Sequence, residues 1–146
     1  MAYMNFKITS ESETPTKTIV KARNFEMIID EPENLGGNDD GANPVEFLLA
    51  SLAGCLNVVG HLVAKEMGFE IKKMKINIDG DLNPAKFLGK PSKDRTGYVK
   101  INVSFELETT ADKNTLNEWL KIVESRCPVS DNLSNPTPIE FNISTF

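Results

Sequence analysis

Apolar residues alternate with polar ones in several short stretches, and each such stretch predicts a strand with one buried and one wetted face. Lys17 to Ala22 and Phe25 to Asp30 read as a hairpin through Arg23-Asn24, because asparagine tolerates left-handed backbone angles. Met74, Ile76 and Ile78 mark a third strand, and Val99, Ile101, Val103, Phe105 and Leu107 a fourth. Ile139, Phe141 and Ile143 repeat the alternation near the end of the chain, and Tyr3 to Thr9 supplies a further edge strand.

Two stretches follow the helical period instead. Asn43-Pro44-Val45-Glu46 combines a capping side chain, a proline suited to the first helical position and a glutamate placed to reach back to the cap. The helix it opens runs from Pro44 to Met67 and stops at Gly68, which makes 24 residues. From Phe47 to Ala64 it carries no charge, yet Ser51, Asn57 and His61 interrupt it and Gly54 and Gly60 thin it. It reads as a central helix covered all round by sheets or by a second subunit, with no membrane involved. Asp112 to Arg126 forms a second, amphipathic helix on Leu116, Trp119, Leu120 and Val123, ended by Pro128. Asp79 to Gly97 and Glu33 to Ala42, rich in glycine, proline and aspartate, are loops.

The 146 residues suit one domain spanning 1–146, large enough to bury a core without staples. Strand-rich segments interrupted by two helices make the class α+β. A net charge of −5, with no basic cluster denser than Lys86, Lys90, Lys93 and Arg95, argues against a nucleic-acid partner. The first residues show no basic segment followed by an apolar one, so the expected location is the cytoplasm, where thiols stay reduced.

Chemistry concentrates at two cysteines, too distant in sequence for a local Cys-x-x-Cys pair. Cys55 shares its helix face with Leu48, Ser51, Leu52, Val58, Val59 and Leu62. Apolar burial alone raises a thiol's pKa and makes it inert, whereas a cation or a helix N-terminus makes the thiolate available. Cys127 follows Arg126 and precedes Pro128, at what reads as the start of another helical turn. His61, the sole histidine, lies off the face of Cys55, so no metal site is expected.

Asn43-Pro44-x-Glu46, Ala53-x-Cys55 deep in an apolar helix, and Cys127-Pro128-Val129-Ser130 near the end of the chain closely resemble the OsmC/Ohr family of thiol peroxidases and their OsmC-like relatives. Asp30-Glu31-Pro32 and Leu35-Gly36-Gly37 extend the agreement over most of the chain. The resemblance implies an OsmC-like fold, in which two sheets wrap long central helices in an intertwined homodimer. It implies that Cys55 is the peroxidatic residue, attacking an organic hydroperoxide, and that Cys127 resolves the resulting sulfenic acid as a disulfide. A dithiol or lipoyl-type reductant would regenerate the pair, with no bound cofactor.

The chain departs from the peroxidase pattern at one position. Peroxidase members carry a glutamate directly after Asn-Pro, where it holds an arginine against the thiolate, and here that position is Val45, as in the OsmC-like branch. Glu46, the neighbouring carboxylate, points about 180° from Cys55 around the helix and suits a capping role better than a catalytic one. Arg23 is the candidate activating arginine by position, and Arg95 the next. The leading function is a thiol-dependent reductase of organic hydroperoxides. The alternative is an OsmC-like protein without peroxidase turnover, which binds a small apolar ligand or senses redox state.

Overall fold

The computed structural model describes residues 1–146 and divides into two compact units, Met1–Ala50 and Ser51–Phe146. The first holds a three-stranded antiparallel sheet, in the order β1 (Thr9–Ser12), β2 (Thr18–Ala22) and β3 (Phe25–Ile29). The tight turn between β2 and β3 is where the sequence places it, but Arg23 and not Asn24 adopts the left-handed conformation, with φ 57°. The Arg23 guanidinium lies 5.0 Å from the centre of the Phe25 ring, a cation–π contact that offsets part of the backbone cost. The expected edge strand is present only as β1, which starts where Tyr3 to Thr9 ends.

After β3 the chain is organised around Asp30, which is fully buried. Its carboxylate accepts the backbone N–H groups of Glu31, Asn38 and Asp40 at 2.8, 3.1 and 3.2 Å, folding the loop of residues 31–42 over itself. Burial pushes the carboxyl pKa up, but the Asp40 N–H, the Thr16 hydroxyl and the other amides outweigh it, and the net shift is downward. Gly37 is required here for space: a Cβ would stand 1.8 Å from the Glu31 carbonyl oxygen.

Helix α1 (Pro44–Glu66) begins with the reciprocal capping box that the sequence announces. The Glu46 N–H donates to Asn43 Oδ1 at 2.9 Å, and the Asn43 N–H donates to Glu46 Oε2 at 2.8 Å. It ends one residue before the expected Met67, in a Schellman turn: the N–H of Gly68 (φ 81°) reaches the Lys65 carbonyl and that of Phe69 the Ala64 carbonyl.

The second unit packs α1, from Ser51 onward, with the antiparallel ribbon of β4 (Ile71–Leu82) and β5 (Tyr98–Thr109) and the helices α2 (Lys113–Arg126) and α3 (Pro128–Ser134). Asp112 caps α2 by accepting the Thr115 N–H at 2.8 Å. Leu52, Leu56, Val59, Val63, Ile71, Trp119 and Val123 form the core, and full burial of each large apolar side chain is worth about 1.5–3 kcal/mol. At its centre the Trp119 indole N–H donates to the Gly60 carbonyl at 2.8 Å, with the Phe105 ring edge-on at 5.2 Å. A side chain at Gly60 would crowd both the indole and Met74.

One expectation needs correction. The terminal alternation of Ile139, Phe141 and Ile143 forms no strand within the chain, and all three side chains stand exposed. Within one chain the long helix keeps an open flank, with Val58 and Leu62 65 % and 46 % exposed, because one sheet and two shorter helices cover only part of its circumference and the expected cover by a second subunit lies outside a single chain.

Candidate redox site

The two cysteines meet although 72 residues separate them in sequence. α1 carries Cys55, and the break between α2 and α3 delivers Cys127, in extended conformation, as the residue that caps α3. Both are free thiols, with the sulfurs 2.8 Å apart, so a hydrogen bond joins them without a covalent link. Cys127 is buried to within 1 % and Cys55 is only partly covered, which makes Cys55 the more accessible residue of the two.

Backbone amides of the first turn of α3 serve both sulfurs. The Ser130 N–H donates to Cys127 Sγ at 3.3 Å, which makes the sulfur the N-cap acceptor, and the Val129 N–H acts on Cys55. Pro128 has no N–H to offer and fixes the first helical residue, so the Cys-Pro-Val-Ser order is what aligns these two donors.

The Cys55 thiol is nevertheless pushed up from its ordinary value, first by burial, then by its hydrogen bond to Cys127 and by that neighbour's charge, with the Val129 N–H opposing. The sulfur–sulfur contact by geometry has Cys127 donating, whereas the upward shift corresponds to Cys55 keeping its proton.

Each of the remaining candidates has its own surroundings. Arg23 belongs to the first unit, at the β2–β3 turn, with its guanidinium on Phe25. Glu46 also belongs there, and its carboxylate is engaged with the Asn43 amide. Arg95 lies in the second unit and, with Leu52, Leu56, Phe105 and Ser130, lines a cavity of about 400 Å³ whose walls do not include either cysteine. No group of three or more His, Cys, Asp or Glu side chains is placed to hold a metal ion.

One contact beside the site escaped the sequence reading. Arg126, immediately before Cys127, forms a two-pronged ion pair with Glu66, the last residue of α1, and so ties together the two helices that lead to the thiols. The pairing lowers the Glu66 pKa and raises that of Arg126. Glu66 stands 11 residues after Cys55, nearly on its helix face, and that spacing was the available signal.

A long apolar helix and a Cys-Pro turn thus bring two free thiols into contact in a chain of α+β class. The model of the family described as OsmC-like protein matches residues 37–142, and the chain belongs to that family. A hydroperoxide reductase of Mycoplasma genitalium is 27 % identical over 122 residues, which cover 83 % of this chain and 81 % of that one. Among solved structures, an OsmC-like protein from Mycoplasma pneumoniae superposes with a TM-score of 0.79 at 22 % identity, covering 91 % and 89 % of the two chains. An organic hydroperoxide resistance protein from Elizabethkingia anophelis gives 0.66 at 18 % identity, covering 92 % of this chain and 91 % of that one.

Proposed function

We propose that this protein reduces organic hydroperoxides in the cytoplasm with Cys55 and Cys127. The observation that carries the reading is the contact between a partly covered cysteine and a buried one, both free. Relatives named hydroperoxide reductase support the reaction class. Cys55, as its thiolate, attacks the terminal oxygen of the peroxide; the O–O bond breaks, the alkoxide leaves as alcohol after taking up a proton, and Cys55 becomes a sulfenic acid. Cys127 attacks that sulfur, water departs, and a disulfide remains. A dithiol reductant of small-molecule or lipoyl type then returns two electrons and two protons to the pair. Arg23 and Arg95 remain the candidates for activating Cys55, and Glu46 serves the helix cap.

The reading includes a homodimer and a single cooperative domain over residues 1–146. The exposed flank of α1 at Val58 and Leu62, and the unpaired apolar alternation at Ile139, Phe141 and Ile143, are surfaces that a second copy would cover.

The raised Cys55 pKa favours a second reading, in which the pair senses redox state or borders a ligand site without rapid turnover. Stopped-flow mixing of reduced protein with an organic hydroperoxide, followed by thiol counting, separates the two. Rapid loss of two thiols per chain, abolished by Cys55→Ser and halted after one turnover in Cys127→Ser, supports the reductase. Equal slow rates for wild type and Cys55→Ser replace it with the alternative.

A further inference from the structure

The segment 83–97 between β4 and β5 holds four cations, Lys86, Lys90, Lys93 and Arg95, against the single acid Asp94, in a chain whose net charge is −5. None of the four takes part in an ion pair: every one the chain forms lies elsewhere. Asp94 is occupied at the base of the loop, where its carboxylate accepts the Asn83 side-chain amide at 2.8 Å. Asn83 Oδ1 also accepts the Ala85 N–H at 3.0 Å, and Ser92 Oγ accepts the Asp94 N–H at 3.1 Å, so the two ends of the loop are pinned together.

Above this base the chain makes a helix-like turn, with the Leu88 N–H on the Pro84 carbonyl and the Lys90 N–H on that of Ala85, closed by Gly89 at φ 72°. The turn holds Phe87 and Leu88 outward, 64 % and 50 % exposed, and neither belongs to the buried core. Three exposed lysines, Lys86, Lys90 and Lys93, lie on the same segment.

We propose that this tip is a docking surface for an anionic lipid bilayer, with Phe87 and Leu88 entering the headgroup boundary and Lys86, Lys90 and Lys93 meeting lipid phosphates. An adjacent pair of bulky apolar side chains on a segment that carries three unpaired lysines combines the two signals that reversible membrane attachment requires, buried apolar area and attraction to anionic lipid. A negatively charged protein repels such a surface only at long range, and at physiological salt that repulsion is screened within about 8 Å, so the local positive charge decides. The segment runs through Arg95 into β5, and Arg95 lines the 400 Å³ cavity of the second unit, so the tip and the cavity belong to one continuous stretch of chain. The surface departs from the sequence reading, which expected no membrane contact; that reading concerned a span, and a peripheral attachment needs none. The inference does not depend on the hydroperoxide chemistry.

The test is co-sedimentation of the full chain with phosphatidylcholine vesicles, with and without phosphatidylglycerol, at low and physiological salt. Binding should require the anionic lipid, weaken as salt rises, and fall on the order of a hundredfold in Lys86→Gln/Lys90→Gln/Lys93→Gln. Phe87→Ser/Leu88→Ser should also release the protein while leaving thermal unfolding nearly unchanged, because these exposed side chains lie outside the buried core. Failure of the wild type to bind, or binding that both variants retain, overturns the proposal. So does a change of sedimentation coefficient in the Phe87→Ser/Leu88→Ser protein without vesicle binding by the wild type, which would assign the tip to a contact between copies.

Discussion

The proton shared by Cys55 and Cys127 sets the pH behaviour of the site. Cys55 ionises above its ordinary value of 9.0, so its neutral form favours the fold; that contribution is complete below this value and disappears as pH rises through the folded-state pKa. Alkylation of Cys55 by iodoacetamide should accordingly show a midpoint above 9.0, and Cys127→Ala should move the midpoint down by removing the second sulfur's hydrogen bond and charge while burial remains. An unchanged midpoint would leave burial as the whole cause. At the same scale the sequence told much: the two cysteines, the capping role of Glu46 and the place of Cys127 at a helix start were all legible in local patterns. Which thiol is buried was not, because it depends on what the fold lays over each sulfur.

Among the elements, α1 carries the clearest signals, and its capping box and Schellman turn lie where Asn43, Glu46 and Gly68 place them. The attachment of α2 to it was less visible. Trp119 announces an apolar stripe, but nothing in the periodicity says that its indole N–H will end on the carbonyl of Gly60, the residue whose missing side chain makes room for the ring. Trp119→Phe keeps an aromatic body and leaves that carbonyl without its tertiary donor. The expected loss of stability is about 1–3 kcal/mol by urea unfolding, larger if the smaller ring leaves a void. A result near zero would mean that water enters and replaces the bond.

Across the whole molecule, an alternating apolar pattern proved ambiguous in one instructive place. Ile139, Phe141 and Ile143 carry the same signal as the residues of β5, yet β5 has a partner within the chain and the terminal segment has none. Alternation reports that a strand has an apolar side; it does not report which chain supplies the neighbour. If a second copy does so, polar replacement of all three residues should lower the sedimentation coefficient to that of a monomer. The local fold of the second unit should persist, since these side chains are 72 %, 88 % and 96 % exposed within one chain. A wild type that already sediments as a monomer would refute the dimer.

The hydrogen bond from the Ser130 amide to the Cys127 sulfur has a consequence for how oxidation is felt by the backbone. A sulfur committed to a disulfide is a poorer acceptor than a thiol poised to become a thiolate, so oxidation weakens the side-chain N-cap of a seven-residue helix. Deuterium should then enter the Ser130 amide faster in the oxidised protein than in the reduced one, while the Gly68 and Phe69 amides at the end of α1 keep a constant rate. The first turn of α3 would act as a gauge of electron count, readable one amide at a time.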